Sequence, residues 1–99
     1  MNKAEYLLVC LMEECAELSA IASKTLLFGT YSTPIDGKTI LTNVERLVEE
    51  YVHINAVMRE LQKTGVVPDE IYIGDIVVEK RSKLNMFMDI SRLKGTLEE

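Results

Sequence analysis

The stretch Glu13-Glu14-Cys15-Ala16-Glu17 places three carboxylates inside a largely apolar run from Tyr6 to Ile21. On a helix Glu14 and Glu17 point the same way, with roughly 5–6 Å between their Cβ atoms. Glu14 also falls on the stripe Leu7, Leu11, Leu18 and Ile21, the face that a helix turns toward its core. A carboxylate there is costly to bury unless a cation, a metal or a proton neutralises it. Two of them one turn apart repel each other unless a divalent ion lies between them. The competing reading is a solvated acidic face, which suits Glu13 better than Glu14.

A second stretch repeats the oddity. Glu50 lies on the stripe Leu47, Ile54, Val57 and Leu61, and His53, the single histidine of the chain, follows one turn later. Two antiparallel helices could set Glu14 and Glu17 opposite Glu50 and His53, all projecting inward, as helical bundles build metal sites. Carboxylates suit magnesium or manganese, and an imidazole shifts the preference toward softer divalent ions. His53 could equally be a surface imidazole bonded to Glu49 or Glu50. Asn55, on the side of Tyr51 and Val48, is either a buried amide with a partner or a reader of an adenine-like edge. Lys24, Lys80 and Lys83 supply positive charge that would suit a phosphate-bearing ligand, with ordinary solubilising charge as the alternative.

These residues need helices to position them. Asn2 with Glu5 opens a predicted helix over 3–28, which Gly29 stops. Thr30, Ser32, Pro34, Asp36 and Gly37 mark a loop. The capping box Thr42-Asn43-Val44-Glu45 starts a second helix over 42–64, ended by Gly65. Asp75 caps a third over 75–94, ended by Gly95. Before it, Ile71-Tyr72-Ile73 is apolar and reads as a short extended piece or a single helical turn. The fold class is all-α: a three-helix protomer packing into an oligomeric helical bundle.

The chain has 99 residues, which predicts a single domain over 1–99. A chain this short hides only about 60–65% of its unfolded surface, yet 47% of its residues are hydrophobic. Tyr6 to Met12 is apolar around the whole helix circumference, so more than one side needs cover. A homo-oligomer, dimer or tetramer, with the first helix at its centre is therefore expected. The net charge of −5 argues against a nucleic-acid polymer as partner and for a cation or a small ligand. The apolar run is far short of the ~20 residues that cross a bilayer, and no signal-like leader is visible, so no membrane partner is expected. Cys10 and Cys15 read as reduced thiols of a cytoplasmic protein.

The acidic string, the helix ending Ser23-Lys24 with Phe28-Gly29, and the helix carrying Glu79, Lys80 and Lys83 resemble the MazG-type all-α nucleoside triphosphate pyrophosphohydrolases, above all small phage-borne members. That family carries E-E-x-x-E on one helix and E-x-x-D on the next, and Glu13 to Glu17 matches the first half unchanged. The resemblance implies a dimeric or tetrameric helical bundle with magnesium held by Glu14, Glu17 and Glu50. It implies cleavage of a nucleoside triphosphate to monophosphate and pyrophosphate in the cytoplasm, that of the host if the chain is phage-encoded. Glu13 would then orient water, and lysines would neutralise the departing pyrophosphate.

The chain departs from the pattern in three places. Glu50-Tyr51-Val52-His53 stands for E-x-x-D, which makes His53 the fourth ligand and brings manganese into consideration beside magnesium. The two acidic motifs are farther apart than is usual, and Leu27 stands where those phage members often have arginine. Two further readings follow: a relative that binds or sequesters a nucleotide without hydrolysis, and a structural helical interaction protein.

Overall fold

In a computed structural model of the chain, the described residues are 1–69 and 73–99. Among them are three α-helices and no strand: α1 over Lys3–Phe28, α2 over Asn43–Lys63 and α3 over Ile73–Leu93. They fall into two compact units, Met1–Asp69 and Glu70–Glu99.

Local hydrogen bonds set the ends of the first two helices. The Glu5 N–H donates to the Asn2 side chain at 2.8 Å, satisfying a donor that the first turn leaves free. Gly29 closes α1 at φ +103°, a conformation open to a residue without Cβ, and its N–H bonds the Thr25 carbonyl at 3.0 Å. The Thr42–Glu45 capping box is complete, with the Glu45 N–H donating to Thr42 Oγ1 at 3.3 Å and the Thr42 N–H to Glu45 Oε1 at 3.1 Å. The Thr42 N–H and the Thr42 hydroxyl, both donating to Glu45 Oε1, hold the Glu45 carboxyl below its ordinary range.

The two helices run antiparallel. Lys3 acts on Glu60, Glu14 meets His53, and Gly29 meets Asn43, so positions descend along α2 as they climb along α1. The intervening loop is tied to the start of α2. The Asn43 N–H donates to the Ser32 carbonyl at 2.8 Å, the Val44 N–H to the Thr30 carbonyl at 3.0 Å, and Asn43 Nδ2 to the Gly29 carbonyl at 2.9 Å. At the loop tip, Asp36 accepts from the Thr39 hydroxyl and from the N–H groups of Thr39 and Lys38, which pull its carboxyl down to about 2.

A helix pair has one mutual face, so the first unit has a thin core. Leu61 and Ile21 are the buried apolar side chains among the described residues, Leu61 completely so. Tyr6, Leu8 and Met12 of the apolar girth stay exposed. Cys10 and Cys15 are free thiols.

α3 begins at Ile73, two residues ahead of the expected start, so Asp75 lies within the first turn rather than at the cap. Its charge there still meets the positive end of the helix. Ile71 and Tyr72 lie outside the described residues. Along α3, Lys83 pairs with Glu79 at 3.2 Å and Arg92 with Asp89 at 3.1 Å. No described helix is long and apolar enough to cross a membrane.

Candidate metal centre

The antiparallel register brings Glu14 of α1 against Glu50 and His53 of α2. One ligand atom from each of the three lies within 4.8 Å of the others. His53 Nδ1 stands 3.3 Å from Glu50 Oε2 and 3.6 Å from Glu14 Oε2. The Glu50 side chain is only 6% exposed, that of Glu14 25% and that of His53 49%, so the group has one buried acid and one open side.

The buried acid is strongly perturbed. Removal from water, then the nearby Glu14 carboxyl and the charge of Glu17, push Glu50 from the ordinary 4.5 up to about 7, against a smaller opposing effect of His53. Glu14 Oε2 and Glu50 Oε1 are both buried without a hydrogen-bond partner. Two carboxylate oxygens without a partner beside an imidazole nitrogen are a donor set that fits a divalent cation. The carboxylates suit magnesium or manganese, and the nitrogen favours manganese of the two.

Glu17 lies one turn along α1. It borders a cavity of about 320 Å³ that Glu50 and His53 line but Glu14 does not, together with Ala20, Ile21, Lys24, Arg46 and Glu49. Its charge reaches Glu50, but it is not one of the three residues whose ligand atoms converge. Glu13 is exposed and lines neither this cavity nor its neighbour. Asn55 Nδ2 donates to the Tyr51 carbonyl of its own helix at 3.1 Å, and Asn55 lines neither cavity. Lys80 and Lys83 belong to α3, in the other unit.

Arg46 is the residue that sequence reasoning missed. It lies with Lys24 in the cavity wall, two cations facing an acidic cluster. The signal was present: Arg46, Glu50 and His53 are spaced four and then three apart, which puts them on one helix face. Arg46 Nη1 donates to Asn43 Oδ1 at 3.2 Å, and Asn43 is 3% exposed with its amide nitrogen bound to Gly29. Asn43 thus steers the guanidinium while tying the loop to α1.

Lys24 and Arg46 also line a second cavity of about 390 Å³, whose wall continues through Phe28, Ser32, Pro34 and Ile35. Along the helix pair the order is therefore acids, cations, then an apolar chamber. Comparison with protein-family models, with curated proteins and with solved structures finds no match for this chain.

Proposed function

We propose that the protein is a metal-dependent nucleotide pyrophosphohydrolase, cleaving a nucleoside triphosphate to monophosphate and pyrophosphate. The observation that carries this reading is the convergence of Glu14, Glu50 and His53, with two orphaned carboxylate oxygens, next to the cations Lys24 and Arg46. The acids alone would fit many metal proteins. The pairing with two cations fits a metal-bound polyphosphate, and the resemblance of the Glu13–Glu17 string supplies the reaction.

Glu14, Glu50 and His53 would hold the ion, with Glu17 at the edge of the cavity that Glu50 and His53 line. A bound magnesium or manganese ion polarises a phosphoryl oxygen and lowers the pKa of a bound water. The water oxygen would bond to the α-phosphorus and give its proton to a carboxylate of the acidic cluster, while the bond from that phosphorus to the bridging oxygen of the β-phosphate breaks and its electron pair leaves with the pyrophosphate. Lys24 and Arg46 then neutralise charge on the phosphate chain and on the departing pyrophosphate.

One observation favours the sequestering alternative. His53 stands within salt-bridge distance of both Glu14 and Glu50, so a protonated imidazole can offset the acids without any ion. The test of both is a panel of nucleoside triphosphates with magnesium or manganese, scored for pyrophosphate and monophosphate. Release of pyrophosphate supports the hydrolase, nucleotide binding without release supports sequestration, and neither would leave the structural interaction protein.

We also propose that the chain works as a homo-oligomer, a dimer or tetramer, in the cytoplasm. Tyr6 and Met12 are 61% and 64% exposed at the apolar girth of α1, and α3 contains no buried residue. A further copy of the chain is the cover such surfaces call for. The free thiols Cys10 and Cys15 suit a reducing compartment.

A further inference from the structure

We infer that the chamber formed by the end of α1 and the loop tied to α2 is the nucleobase site of the nucleotide, with the Phe28 ring as its stacking platform. The inference rests on the nucleotide reading above and extends it to a part of the molecule that reading does not use.

Three observations carry it. The chamber and the acid-lined cavity share two wall residues, Lys24 and Arg46. A polyphosphate anchored at the acids by a metal therefore crosses these cations and delivers its nucleoside to the chamber beyond. The chamber volume, about 390 Å³, lies within the range of roughly 300–1,000 Å³ typical of small-molecule sites. Its lining has the right chemistry: Phe28, Pro34 and Ile35 offer apolar surface, and Ser32 and Thr33 offer hydroxyls. Phe28 is 68% exposed, so it is open to a planar ligand instead of being spent on a core.

The buried amide of Asn43 also lines the chamber, and both its polar atoms are already engaged. Its Nδ2 is bound to the Gly29 carbonyl and its Oδ1 to Arg46. Recognition thus leans on stacking and on the shape of the chamber, helped by the loop hydroxyls. A base stacked on an aromatic ring is held through its π-face, which every base possesses.

The experiment compares the wild-type chain with Phe28→Ala, Phe28→Tyr and Ile35→Asp, all with manganese present. Binding is measured by calorimetry for the common nucleoside triphosphates and for inorganic tripolyphosphate, which carries the phosphates without a base. Phe28→Ala should weaken nucleotide binding about tenfold or more and leave tripolyphosphate within about twofold. Phe28→Tyr should restore it, since the ring is kept. Ile35→Asp, at a fully exposed loop position, should weaken nucleotides selectively by placing a charge in the apolar wall. Nucleotide affinity indifferent to Phe28→Ala and Ile35→Asp would overturn the base site while leaving the nucleotide reading standing. Equal loss for nucleotide and tripolyphosphate would overturn it too, as a purely structural effect. A wild-type chain that binds no nucleoside triphosphate would remove both readings at once.

Discussion

His53 Nδ1 lies 3.3 Å from Glu50 Oε2, one turn back along the same helix, and the imidazole is about half exposed where the carboxyl is almost fully buried. The pair sets an open, titratable group against a closed one. The imidazole is thus the face of the pair that solvent reaches, with the carboxyl behind it.

Glu50 should make the metal-free protein lose stability as pH rises. Its folded pKa is raised from 4.5 to about 7, so the folded state holds the proton more tightly than the unfolded chain. The benefit of the neutral form is fully present below pH 4.5 and is lost as pH rises to and through about 7. Urea unfolding from pH 4.5 to 8.5 should show this decline. In Glu50→Gln it should flatten, and an unchanged slope in that variant would separate Glu50 from the effect.

Glu14→Gln should remove manganese binding. The variant keeps the side-chain shape but replaces a charged donor by a neutral amide, and Glu14 Oε2 is one of the two orphaned oxygens. Calorimetry of the wild type at pH 8 should give stoichiometric binding and a higher Tm by mass action. No binding by the intact wild-type chain would show that the cluster does not hold metal.

His53→Asp should convert the donor set to carboxylates alone. Magnesium prefers oxygen ligands and manganese accepts nitrogen as well. The wild type should therefore release pyrophosphate faster with manganese, and the variant should gain magnesium-dependent release. Equal metal preference in both proteins would place His53 outside the site.

Asn43→Ala should destabilise the helix pair by about 1–3 kcal/mol, the usual cost of leaving a buried polar partner unsatisfied. The amide links Gly29 at the end of α1 to Arg46 of α2, and its loss frees both. Denaturant midpoints measure the stability. A parallel fall in affinity for tripolyphosphate is expected, because Arg46 loses the oxygen that orients it.

Light scattering on the wild type should return a dimer or tetramer. A folded species of 11.2 kDa at micromolar concentration would contradict the proposed assembly.

Much of the architecture was legible in the sequence because it is made by local interactions. Asn2, the Thr42–Glu45 box and Gly29 each act within four residues, through hydrogen bonds and φ preferences that the sequence displays directly. The spans of α1 and α2 follow from them. Asp75 misled about the start of α3, since an acid favours both the cap and the first turn, and the two look alike in sequence. The metal-site candidates were legible for another reason: a carboxylate on an apolar helix face is costly, and the stripes of Glu14 and Glu50 were visible as 3.6-residue patterns.

Only the tertiary structure decided which candidates meet. Periodicity assigns a face but not a height along the neighbouring helix, and height is set by how the loop is tied between the two. The bonds of Asn43 to Gly29 and Ser32 fix that offset. It brings Glu14, rather than Glu17, into the trio with Glu50 and His53, and it sets Arg46 beside Lys24 across the pair. Asn55, also on α2, turns to its own helix, where its Nδ2 donates to the Tyr51 carbonyl one turn back. Contacts between residues some thirty apart in the chain depend on that single offset, which no local pattern in the sequence encodes.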